Sequence, residues 1–204
     1  MKTTSVEFGC WIHIIMTDEV SKEINERLDR IFDFILSKKS IYKFNLLNLP
    51  DVTTNILDAD DFREIFIELN KKTKSCIYWF ELENEQKCLE IISHLNSSRE
   101  VLKSKARVIP PKNANKNSKV LYLGIRRGGI RKRDNFTNIS GRIVQHLGYY
   151  EKGSTQGLQL VHWCKGQNFE IKLNVVELEN LPNDYLNVVE KILSYHLRPL
   201  CGKH

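Results

Sequence analysis

The chain is short of cysteine and proline and has no long apolar run, and each shortage removes a class of protein. Its five cysteines, Cys10, Cys76, Cys88, Cys164 and Cys201, are odd in number and include no Cys-x-x-Cys pair. That excludes a disulfide-built scaffold and a zinc ribbon, and it predicts free thiols in a reducing cytoplasm. The first apolar patch, Cys10 to Met16, is broken by His13. It lacks the basic flank and small-residue cleavage site of a signal peptide. No stretch reaches membrane-spanning length. The expectation is a soluble cytoplasmic protein without a membrane partner.

Acidic residues are scarce in one region. Residues 99–142 hold 13 Lys/Arg against two acids, Glu100 and Asp134, a net charge of +11. Residues 1–75 hold 11 basic and 13 acidic residues, net −2, and residues 76–204 hold 20 and 12, net +8. The positive charge is therefore concentrated where it can bind a polyanion by releasing counterions.

Apolar residues make up 41% of the chain, enough for a buried core. Alternation from Ser5 to Ile12 predicts a strand, and Val20, Ile24, Leu28, Phe32 and Ile35 predict an amphipathic helix over 18–37. A second helix is expected over 59–72, opened by the acids Asp58, Asp60 and Asp61. Residues 1–75 carry no chemical motif and read as a helical arm or subdomain. Strands are predicted over 76–82, 120–124 and 167–177. Helices are predicted over 85–94, over 139–147 with Asn138 as N-cap, and from Pro182 to about Leu197. Residues 108–118, with Pro110 and Pro111, form a loop, and residues 128–133 form a basic turn.

Two helices carry candidate chemistry. Arg142 and His146 are four residues apart and stack at the edge of the arc formed by Ile139, Ile143 and Leu147. A cation and an imidazole so placed suit phosphate binding and proton handling, although ordinary boundary side chains are the commoner outcome for that spacing alone. Glu190 lies about 40° from Leu186, at the margin of the stripe that the last helix buries. A carboxylate there needs a partner, either a Lys/Arg or a divalent cation. Tyr78 and Tyr122 sit on predicted strands, where a tyrosine is usually half-core.

Together, Cys76-Ile77-Tyr78, Tyr122-Leu123-Gly124, Arg142-x-x-x-His146 and a late helical Glu190 before Pro199 resemble the GIY-YIG nuclease family, as does the segment from Ser154 to Leu160 followed by Trp163. The resemblance covers about residues 75–204. It implies an α+β fold with a small, mainly antiparallel three-stranded sheet flanked by helices, preceded by the 1–75 arm and carrying an insertion at about 83–118. It further implies DNA hydrolysis with one Mg²⁺ or Mn²⁺ held by Glu190, the scissile phosphate clamped by Arg142, and proton handling by Tyr78, with His146 sharing that role or orienting Tyr122. Arg126, Arg127, Arg131, Lys132 and Arg133 would contact the backbone of double-stranded DNA. Cys76 stands in place of the first motif glycine, and Leu200-Cys201-Gly202 stands where the family often has an asparagine. A restriction or defence nuclease, with a possible homodimer, is the expectation. A structure-specific repair nuclease and a catalytically impaired nucleic-acid-binding module are the alternatives.

Overall fold

The helix that opens the fold is longer than its periodicity predicts. In a computed structural model, which describes residues 7–132, 134–150 and 156–202, with side chains from residue 18 onward, α1 runs Glu7–Ser37. The expected strand over 5–12 is therefore corrected from residue 7 onward, and Ser5 and Val6 lie outside the described residues. Alternation of four apolar residues misleads here because Trp11, Ile14 and Ile15 are apolar as well, so the window carries no clean period of two.

The chain divides into two compact units, Met1–Lys38 and Lys39–His204. The boundary thus falls near residue 38 rather than 75. Residues 39–75 belong with the sheet. Strand β1 (Ser40–Asn45) pairs with β4 (Glu170–Leu178), which pairs with β2 (Ser75–Glu81), which pairs with β3 (Val120–Arg126). All three pairings are antiparallel, so the sheet has four strands and not three. β1 is short, and only Tyr42 and Phe44 turn inward to the core. Six residues with two inward side chains give little periodicity to read.

One face of the sheet carries the main core. Phe44, Tyr78, Phe80, Leu121, Leu173 and Val175 pack there with α2 (Asp60–Leu69), α3 (Glu85–Ser104) and α4 (Asn138–Leu147). Phe62, Ile65, Phe66 and Leu69 of α2 are buried in that core, which is why α2 is no part of an arm. Asp60 and Asp61 occupy its first turn, as expected. α3 is a full turn and more longer than its predicted span, because Leu95 and Leu102 continue the stripe begun by Cys88, Ile91 and Ile92 past the weak helix formers Asn96, Ser97 and Ser98. Alternate residues of a strand point to opposite faces, and Ile77, Trp79 and Leu123 are fully buried on the other side. α5 (Asn183–Leu197) packs on β2 and β3 and buries Leu186, Val189, Ile192 and Leu193.

The inserted segment between β2 and β3 is α3 plus the predicted loop. That loop is tied to the chain end: the Asn113 and Asn115 side-chain amides both donate to the Pro199 carbonyl, at 3.0 and 2.9 Å, and the Ser118 hydroxyl donates to that of Leu197. Among the described residues no helix is long and apolar enough to cross a membrane.

Candidate functional site

The site begins with a register pair. Tyr78 on β2 stands directly opposite Gly124 on β3, the edge strand. A Cβ at Gly124 would lie 2.7 Å from the Tyr78 hydroxyl oxygen and 3.0 Å from the Tyr122 ring. The glycine is therefore a space that the Tyr78 ring fills, lying across β3 toward the sheet edge. Tyr122, two residues before Gly124 and on the same face, stacks beside it with ring centroids 6.3 Å apart.

α4 brings Arg142 and His146 to these rings. Its N-cap is Thr137, not Asn138: the Thr137 backbone is extended and its hydroxyl accepts from the Ser140 N–H at 3.3 Å. The Asn138 side chain instead donates to the carbonyls of Arg127 and Gly128, fastening the basic turn to the helix start. Gly148, at φ 100°, ends α4 in the left-handed region.

His146 is fully buried, and its two nitrogens have different partners. The Leu158 N–H donates to Nδ1 at 3.1 Å, which assigns the proton of the neutral ring to Nε2. Nε2 then donates to the Tyr78 hydroxyl oxygen at 2.9 Å. Arg142 Nε donates to that same oxygen at 3.1 Å, Nη2 donates to the Tyr122 hydroxyl at 3.4 Å, and Nη1 donates to Gln145 Oε1 at 3.0 Å. Three of the five guanidinium N–H groups are thus engaged among the described residues.

Burial sets the protonation states. It holds His146 well below the ordinary histidine value, helped by the positive charges of Arg142 and Arg126. It raises Tyr78 and Tyr122, although the facing Arg142 works against both rises. Burial alone would weaken the Arg142 cation, but the two hydroxyls facing it prevail and hold it above its usual value. Tyr78 has no exposed surface, whereas Tyr122 and Arg142 are half-buried.

Glu190 lies on α5, across the sheet from this face, and its charge is a minor influence on the Tyr78 hydroxyl, which burial and Arg142 dominate. Glu190 is half-buried, and desolvation raises its carboxyl above the usual range, with Lys191 opposing. Among the described residues no side chain bonds or ion-pairs with it. Three or more His, Cys, Asp or Glu do not gather anywhere among those residues, so Glu190 is a lone carboxylate. Mg²⁺ keeps several waters and often takes only one or two protein carboxylates, so a single half-buried carboxylate without an ion-pair partner can serve as its protein ligand.

The predicted backbone contacts divide. Arg126, at the end of β3 and two residues past Gly124, is itself exposed, and desolvation and repulsion from Arg142 hold it below the ordinary arginine value. Arg127 and Lys132 are exposed. Arg131 is already engaged: it pairs with Asp134 at 2.7 Å, lies 5.9 Å from the Tyr150 ring, and occupies the space above Gly141. Arg133 lies outside the described residues.

The chain matches no protein-family model, no curated protein and no solved structure. The geometry therefore carries the functional argument. Sequence reading passed over Gln145 and the Leu158 amide. Gln145 sits three residues after Arg142, a spacing that signals contact on a helix. The Leu158 contact is a backbone one and leaves no trace in side-chain pattern.

Proposed function

We propose that the protein is a divalent-metal-dependent endonuclease hydrolysing DNA phosphodiester bonds, in a restriction or defence role, as its resemblance to the GIY-YIG family implies. One observation carries the reading. Arg142 donates to both Tyr78 and Tyr122 and His146 donates to Tyr78, while Glu190, half-buried on α5, has no ion-pair partner among the described residues.

Arg142 retains two N–H donors beyond its three engaged ones, and a guanidinium fork suits two phosphate oxygens. Tyr78 and Gln145 fix its orientation before substrate arrives, which lowers the cost of binding. Both acceptor positions of the Tyr78 hydroxyl are filled by N–H donors and its ring has no exposed surface, so this group supports Arg142 and does not act as a base toward water. Tyr122, half-buried on the same Arg142, is the tyrosine within reach of a substrate. Neutral His146 keeps the Tyr78 oxygen in place. Bound Mg²⁺ or Mn²⁺ on Glu190 would supply charge stabilisation to the phosphate.

The test is incubation of the protein with mixed-sequence plasmid and Mg²⁺, followed by sequencing of the cut ends. Cuts at a recurring site support restriction, and cutting confined to branched substrates supports a repair role. The second reading, a binding module without turnover, draws on the chain end: Cys201 there donates its thiol to the Leu121 carbonyl, and no asparagine follows Pro199. Salt-sensitive binding with no cutting would decide for it. Glu190→Gln is expected to reduce cutting by at least about 100-fold while DNA binding persists, the scale of a lost electrostatic stabiliser. Normal cutting by that variant removes Glu190 from the reaction.

A further inference from the structure

α5 carries a polar line that joins two clefts. At 100° per residue, Asn183, Asn187, Lys191, Ser194 and Arg198 fall within about 80° of one another around the axis, and Glu190 lies about 20° outside that arc. From Asn183 to Arg198 the line is about 22 Å long at 1.5 Å per residue. At its start is a cleft of about 410 Å³, where Arg126, Arg127 and Asn138 face Asn183, Leu186 and Asn187. At its far end is a cleft of about 780 Å³, where Asn113 and Asn115 of the inserted loop face Lys191, Tyr195 and Arg198.

Both clefts are positive. Neither is lined by a carboxylate, and Arg126, Arg127, Lys191 and Arg198 form no ion pair among the described residues. Asp184, in the first turn of α5, is the acid nearest the line apart from Glu190. The start of α5 is capped by Pro182 with no side-chain acceptor, so its positive end stays open to an anion. The opposite end of a helix repels anions, but here the last helical carbonyl, of Leu197, accepts from Ser118, and the Pro199 carbonyl just past the helix accepts from Asn113 and Asn115. Tyr195 is 80% exposed beside those cations, and its hydroxyl can donate to a phosphate oxygen.

We propose that this line is a nucleic-acid track. The sugar-phosphate backbone runs along α5 from the Arg126–Arg127 cleft to the Lys191–Arg198 cleft and passes Glu190 midway. The inserted loop builds the far wall, and the track spans about six base-pair rises at 3.4 Å each. The inference rests on the nuclease reading above.

Fluorescence anisotropy tests it, using the full chain, mixed-sequence duplex DNA and chelator to prevent cutting, over a range of salt concentrations. Arg198 has φ 50°, so its neutral replacement is Asn, which tolerates the left-handed region. Arg127→Gln, Lys191→Gln and Arg198→Asn are each expected to flatten the salt slope by about 0.9. Tyr195→Phe, exposed enough to leave folding intact, is expected to weaken binding about threefold or more, the scale of one lost hydrogen bond. Circular dichroism confirms that each variant is folded. Wild-type binding with slopes and affinities unchanged across the folded variants overturns the track alone. Absence of any wild-type binding overturns the track and the nuclease reading together.

Discussion

Tyr78 receives two N–H donors at one oxygen because a glycine stands opposite it. Any side chain at Gly124 must displace a ring that is fully buried and held on two sides. Gly124→Ala is therefore expected to cost about 1–3 kcal/mol, the range for overpacking a core, as measured by urea unfolding. It should also separate Tyr78 from Arg142 and lower cutting. Unchanged stability and cutting would mean that the ring moves freely and the Gly124 contact does not organise the site. At this scale the residue types were legible. The tyrosines, Arg142, His146 and Glu190 were all selected from sequence, but the strand expected to end at Gly124 runs on to Arg126. What the glycine does was not legible, because its effect lies across a strand pair and not along the chain.

α4 shows how one element depends on another. Thr137 caps it and also donates its hydroxyl to the Leu69 carbonyl at the end of α2, while the Asn70 side chain accepts from the Thr137 N–H. The helix bearing Arg142 and His146 is thus set in position by a helix that the sequence alone assigns to a separate arm. Thr137→Ala is expected to lose about 1–2 kcal/mol of stability, and Thr137→Ser to retain most of it, in the same unfolding measurement. Equal losses in both would show that the methyl group, not the hydroxyl, supports α4. Helix extents followed periodicity well for α2, α4 and α5. Periodicity misassigned the start of α1 and gave no sign of β1, where too few inward residues exist to define a period.

The whole molecule responds to pH through the buried His146 and the half-buried His162. Both His146 and His162 are held below the ordinary value, by burial first in each case. Their unfolded forms take up protons near pH 6.5, where the folded forms do not. Stability is therefore fully present above about 6.5 and falls as pH drops below it, approaching about 1.4 kcal/mol per pH unit for the single proton of His146. Glu190, raised in the folded state, has the opposite sign from about pH 4.5 upward, so the comparison belongs in a Glu190→Gln background. Urea unfolding at several pH values should give a shallower dependence for His146→Asn than for its parent. Equal slopes would show that His146 is not the buried neutral group.

The sequence by itself determined which residues could act and how they are spaced within each helix: a cation and an imidazole four apart on α4, and a carboxylate at the margin of the α5 stripe. Local periodicity suffices for that, because it follows from the helix turn. Only the tertiary structure decided that β1 completes the sheet, that α2 anchors α4, and that Tyr78 fills the space over Gly124 to meet Arg142 and His146. Those outcomes depend on strand order and on the missing side chain at Gly124, and no repeat along the chain encodes either.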